Sequence, residues 1–238
     1  MMHSGMYYFP VGAPVLLGLL ILFALLVSVV ASRLLRFASA SMGLAPQTML
    51  TLLLLSLIGS YINIPIAHWH ERYISAPAEI TYYGIPYVIP LVREQPGTIL
   101  AVNLGGAVIP TLLSLYLMAK NQLYRPSLLG LIPVSLACYL LAKPEPGLGI
   151  AEPIFVPAMV TTLVALTLSR RYAGPLAYIC GSLGTLIGAD LMNLGRIPGL
   201  GAPVASIGGA GTFDGIFVIS LLAVVYAGLF ARPPSRAY

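Results

Sequence analysis

Seven long apolar runs separated by shorter polar breaks organise the chain: Val11–Ser32, Gln47–Ile66, Thr98–Ala119, Ser127–Ala142, Ile154–Ser169, Pro175–Leu194 and Thr212–Ala231. A helix rising about 1.5 Å per residue needs roughly 20 residues to cross a hydrocarbon core about 30 Å thick, and each run is near that length. The fourth and fifth are the shortest. The pattern predicts an all-α fold: a polytopic transmembrane helical bundle of about seven spans, forming a single domain over residues 1–238. One break is different. Residues 67–97, AHWHERYISAPAEITYYGIPYVIPLVREQPG, mix β-branched and aromatic residues with Pro77, Gly84, Pro86, Pro90 and Pro96. That mixture predicts a short hairpin or extended lid in place of a helix.

Composition sharpens the membrane reading. Hydrophobic residues make up 58% of the chain and charged residues only 8%, against about 25% charged in ordinary soluble domains. No Lys or Arg precedes the first run and the run outlasts the apolar region of a signal sequence, so the first segment is expected to stay in the mature protein. Cys138 and Cys180 both lie inside apolar runs, where a thiol packs as a small hydrophobe. The net charge of +5 comes from cations dispersed in ones and twos at the ends of runs. They anchor a membrane protein and do not form a nucleic-acid surface.

Scoring alternate loops for Lys and Arg gives an orientation, a multi-pass protein of the cell membrane with its N-terminus outside and its C-terminus inside. The inner face then receives Arg33, Arg36, Lys120, Arg125, Arg170, Arg171, Arg232 and Arg236, and the outer face Arg72, Arg93, Lys143 and Arg196. All seven acids, Glu71, Glu79, Glu94, Glu145, Glu152, Asp190 and Asp214, fall on the outer side. The polar chemistry is therefore expected there.

Proline and glycine interrupt many runs, and two short echoes stand out. GTILAVNLGG from Gly97 and GTLIGADLMN from Gly184 place Asn103 and Asp190 at the same offset, the relation expected of inverted repeats. LGGAVIPTLLS and IGGAGTFDGIFVIS both place a Gly-Gly-Ala entrance before an inward-running span. Gly181, Gly184 and Gly188 suit close helix packing.

The motifs GSYINIPI, ILAVNLGGAVIPTLLSLYL, LGTLIGADLMNL and SIGGAGTFDGIF resemble those of the prokaryotic membrane proteins grouped as domain-of-unknown-function family 1614, DUF1614. The resemblance covers most of Ser60 to Tyr226. It implies a helical membrane fold and brings no activity. At the level of analogy, GADL and GTFDGIFVIS are similar to the stretches that carry the two catalytic aspartates of presenilin and signal peptide peptidase-type intramembrane proteases. That likeness maps the pair onto Asp190 and Asp214. Thr212-Phe213 departs from the family's glycine directly before the second aspartate, no Tyr precedes Asp190, and no Pro-Ala-Leu helix follows.

A carboxylate at membrane depth must be neutral, paired or wet. If Asp190 and Asp214 meet, they can share a proton, one activating water while the other protonates a leaving group, which would make the chain an aspartyl hydrolase acting on a membrane-embedded peptide. The same carboxylates could bind a proton or small cation for coupled transport, with Asn103, Glu152 and Asn193 as further oxygens beside broken helices. A third reading is a non-catalytic scaffold, with the aspartates serving as caps at the interface. His68, His70 and Glu71 of HWHE form a candidate metal set, against the alternative that His and Trp69 anchor the chain at the headgroups. No cofactor motif occurs, and the expected partners are the lipid bilayer with a membrane peptide or small cation, not nucleic acid.

Overall fold

Each of the seven apolar runs contains an α-helix in the computed structural model, which describes residues 13–69, 72–82, 85–95, 97–145, 149–197, 202–209 and 215–231. The helices are α1 (Ala13–Met42), α2 (Pro46–Gly59), α3 (Ile109–Lys120), α4 (Tyr124–Leu141), α5 (Phe155–Leu168), α6 (Ala173–Thr185) and α7 (Gly215–Phe230). The class is mostly helical. Among the described residues, three segments are long and apolar enough to cross a membrane, Val15–Met42, Tyr124–Leu141 and Ala173–Arg196, while Pro46–Gly59, Leu104–Lys120, Phe155–Leu168 and Gly215–Phe230 are shorter apolar helices.

Helix α6 is the axis of the bundle. Every residue from Ala173 to Ser182 is buried, and α1, α3, α4, α5 and α7 all pack on it. Its glycines allow that approach. Gly184 faces Val134 and Gly188 faces the backbone of Ser135, both on α4, while Gly181 faces Ser220 on α7. The expected close packing is present, although the three glycines serve two neighbours instead of one. Helix α1 behaves differently: large apolar side chains from Val15 to Leu34 are exposed all round it. A helix apolar on every face belongs in lipid or in the core of a larger assembly.

Two of the expected spans begin or end as strands. Residues Asn63–Trp69 form β1 and Thr98–Asn103 form β4, paired antiparallel. With Val204–Ile207 (β7), parallel to β4, they make a three-stranded sheet in the order β1-β4-β7. Pro65 cannot donate to a ladder, and it sits on an edge strand beside the register shift between Pro65 and Ala67. The hairpin expected within 67–97 is present as β2 (Arg72–Tyr82) and β3 (Ile85–Gln95), antiparallel throughout. A further small hairpin pairs β5 (Lys143–Glu145) with β6 (Gly149–Ala151).

The short α1–α2, α3–α4 and α5–α6 connections gather at one end, where Gly43, Asn121, Arg171 and Ala231 line a single cleft. All the strands lie at the other. Among the described residues, Glu145, Glu152 and Asp190 lie at or beyond the strand-end limits of the helices, and Lys120, Arg125, Arg170 and Arg171 at the short-loop end. The separation of acids from most cations expected from the loops is thus built into the fold.

Of the two sequence echoes, only one has a structural counterpart. Residues 98–103 are a strand, whereas 185–190 are helical, so the match between Asn103 and Asp190 joins unlike elements. The Gly-Gly-Ala echo fares better. The parallel strands β4 and β7 each run into a glycine pair and then into a helix, α3 and α7, and Gly208 packs directly on Gly106 and Ala107.

Candidate functional site

Two π-helical turns interrupt the regular helices, Leu104–Val108 before α3 and Leu186–Asp190 after α6. Such turns are rare and concentrate at functional sites, because they free backbone groups and redirect side chains. Asn103 precedes the first. Its Oδ1 accepts from Gly106 N at 2.8 Å, and its Nδ2 donates to Ser60 O at 2.7 Å and to Asn63 Oδ1 at 3.0 Å. Ser206 Oγ also donates to Asn63 Oδ1, at 2.6 Å. This wholly buried amide is therefore engaged at both ends, and its role is to tie β1, β4 and β7 to the start of α3. Asn63 and Ser206, which complete the network, drew no attention as a sequence; their only signal is a polar residue in an apolar strand.

Asp190 closes the second π turn and is half-buried. Its Oδ2 accepts from Gly208 N at 2.7 Å. Gly208 has φ +91, a backbone region that favours glycine, and a Cβ there would also collide with the Ala107 amide. Asp190 thus holds the glycine turn before α7 as Asn103 Oδ1 holds the one before α3. Asp214 lies outside the described residues.

Among the described residues, the carboxylate in electrostatic reach of Asp190 is Glu152, on the connection between β6 and α5 and outside the helices. Its Oε1 is fully enclosed and has no hydrogen-bond partner. Burial is the chief force on this group and raises its pKa from 4.5 to about 7; a hydrogen bond from the Cys138 thiol lowers it, and the charge of Asp190 raises it. Cys138 Sγ in turn lies 3.5 Å from Thr185 Oγ1. Both cysteines are free and buried, consistent with thiols that pack as hydrophobes. The cluster therefore draws on α4, α6, the π turn and the β6–α5 connection. The sequence marks Glu152 as an acid beside a span, and nothing local in it marks the proximity to Asp190.

Below this cluster, α6 carries Tyr178, Ser182 and Thr185 at helical spacing, all buried. Ser182 Oγ lies 2.6 Å from Ser114 Oγ on α3. Asn193 is also buried. Its Nδ2 donates to Gly188 O at 3.0 Å and Ala189 O at 2.9 Å, which supports the carbonyls freed by the π turn, and its Oδ1 has no partner. On the far strand, His68 is exposed opposite Ile99. His70 and Glu71 lie outside the described residues, and among those described no cluster of three or more His, Cys, Asp or Glu could hold a metal.

The Glu152 carboxyl makes stability depend on pH in a direction opposite to most acids. Its folded pKa exceeds the unfolded value, so its contribution is complete below about 4.5 and is lost as pH rises to about 7. Glu152→Gln, neutral at every pH, should remove that slope. Melting of the purified protein should show the variant equal to the parent below the window and more stable above it, by about 2 kcal/mol after allowance for partial exposure. Parallel pH curves would show that the fold leaves the Glu152 carboxyl at its unfolded pKa.

No curated protein and no solved structure matches the chain. The family model described as "Protein of unknown function (DUF1614)" matches residues 57–226, a stretch that contains α3 to α6, the three-stranded sheet, Asn103, Glu152 and Asp190. The chain belongs to the DUF1614 family.

Proposed function

We propose that this is a multi-pass protein of the cell membrane, its N-terminus outside and its strand end facing away from the cytoplasm, in which Glu152 and Asp190 bind a proton for proton- or cation-coupled transport. One observation carries the reading: an enclosed, unpartnered Glu152 oxygen within electrostatic reach of the half-buried Asp190 carboxylate. A group in that setting takes up and releases a proton near neutral pH, as a transporter's coupling site must. The buried hydroxyls of α6, continuing through Ser182 and Ser114, offer polar groups along a route toward the short-loop end, where the helices carry no acid.

The same pair favours a second reading. A carboxyl titrating near 7 beside one that accepts a backbone N–H is an acid–base pair, the equipment of an aspartyl hydrolase. In this scheme Glu152 and Asp190 form the acid–base pair.

Reconstituted vesicles separate the two. Transport predicts that an imposed pH gradient or cation gradient drives proton flux, lost in Glu152→Gln and altered in Asp190→Asn. Hydrolysis predicts cleavage of a membrane-embedded peptide that both substitutions abolish. Flux and cleavage that both persist unchanged in Glu152→Gln would remove this carboxyl from function altogether.

A further inference from the structure

The short-loop end carries a different feature. A groove of about 560 Å³ runs between α2 and α3 from the loop at Gly43, and is walled by Leu52, Leu55, Leu112 and Tyr116 with Thr48 on its rim. Leu55, Leu112 and Tyr116 are 50%, 60% and 52% exposed, so the groove is open along its length and apolar. At its mouth stands Lys120. The ammonium donates to Gly43 O at 2.8 Å and lies 5.6 Å from the centre of the Tyr116 ring. An ammonium has three N–H donors, which leaves donors here for an anion.

The surroundings are uniformly positive. Across Gly43 a second cleft, of about 420 Å³, carries Arg171 and Asn121 at its lining. Arg125 and Arg170 lie at the same end, and none of the described carboxylates does. An apolar trough ending at a fixed cation, in a field with no compensating acid, complements a molecule with a long apolar chain and an anionic head. Basic pockets between membrane helices recognise anionic headgroups on these terms.

We propose that the α2–α3 groove seats an acyl chain of an anionic phospholipid whose phosphate is held by Lys120.

The test uses the full chain purified in a detergent with an uncharged headgroup, with phosphatidylglycerol added as the probe and binding read by native mass spectrometry and thermal shift. Phosphatidylglycerol should bind and raise the melting temperature where phosphatidylcholine does not. Lys120→Gln should weaken binding about fivefold, the effect of one basic residue on an anionic headgroup, and Lys120→Arg should retain it. Thr48→Trp, which fills the groove from an exposed position, should abolish binding without changing the lipid-free melting temperature. If that variant is itself less stable, Leu55→Trp blocks the same groove from another exposed position. Equal binding of phosphatidylcholine, undiminished binding by Lys120→Gln or by the groove-filling variant, or equal protection by inorganic phosphate would each overturn the proposal, the last by assigning Lys120 to a free anion.

Discussion

Gly105→Ala should be the most damaging single-methyl change in the described part of the chain, lowering stability by about 3 kcal/mol or more. A Cβ at Gly105 would run into the carbonyl of Ser56 and the amide of Ser60, which are backbone atoms at the end of α2 and cannot rotate away. The approach is mutual, since a Cβ at Gly59 would lie 2.9 Å from Gly105 N. Ser56 Oγ donates to Gly105 O at 2.6 Å, so the same displacement breaks a buried hydrogen bond. Overpacking a tight core typically costs 1–3 kcal/mol, and loss of a buried hydrogen bond adds about 1–3 more. Gly195→Ala is the control, because a Cβ there meets nothing within 4 Å. Thermal melting in detergent of the two variants should differ widely; similar curves would show that α2 and the π turn can move apart freely.

The contact at Gly105 also explains what could be read from the sequence and what could not. Hydrophobic run length located all seven helices, because burial or lipid exposure of long apolar segments is a local property of composition. It overran at Ile62–Ile66 and Thr98–Asn103 because the strands there, β1 exposed and β4 mostly buried, are as apolar as the helices they adjoin. The sheet itself, β1-β4-β7, joins segments a hundred residues apart, and no local pattern encodes such pairing. Asn103 was legible as unusual, yet its role depends on Ser60 and Asn63 across a strand pair. Glu152 was legible as an acid near a span. Its position beside Cys138 and Asp190 follows from how the helices α4 to α6 pack, with Gly184 and Gly188 bringing α6 against α4. Tertiary packing thus places an acid of the β6–α5 connection within electrostatic reach of Asp190.

Asp190 has two separable duties, and a pair of substitutions should divide them. As an acceptor it satisfies Gly208 N at 2.7 Å in a turn whose positive φ few other residues tolerate. As a charge it raises the Glu152 carboxyl, though less than burial does. Asp190→Asn keeps an oxygen for the Gly208 amide and removes the charge. It should preserve stability within about 1 kcal/mol, since the hydrogen bond changes from charged to neutral and is not lost. The pH window in which Glu152 destabilises the fold should at the same time shift modestly downward, because burial still holds that carboxyl above its ordinary range. Asp190→Ala removes both duties. With the Gly208 N–H buried and unpaired, it should cost about 1–3 kcal/mol, loosening the turn into α7. Melting curves across pH for the two variants, each with and without Glu152→Gln, form a double-mutant cycle that isolates the coupling. In the Glu152→Gln background the part of the pH shift that Asp190→Asn transmits through Glu152 should vanish, while the stability loss in Asp190→Ala should remain. A pH shift left undiminished without Glu152 would mean that Asp190 alone is the titrating group, and the proton site would then have to be rebuilt around it.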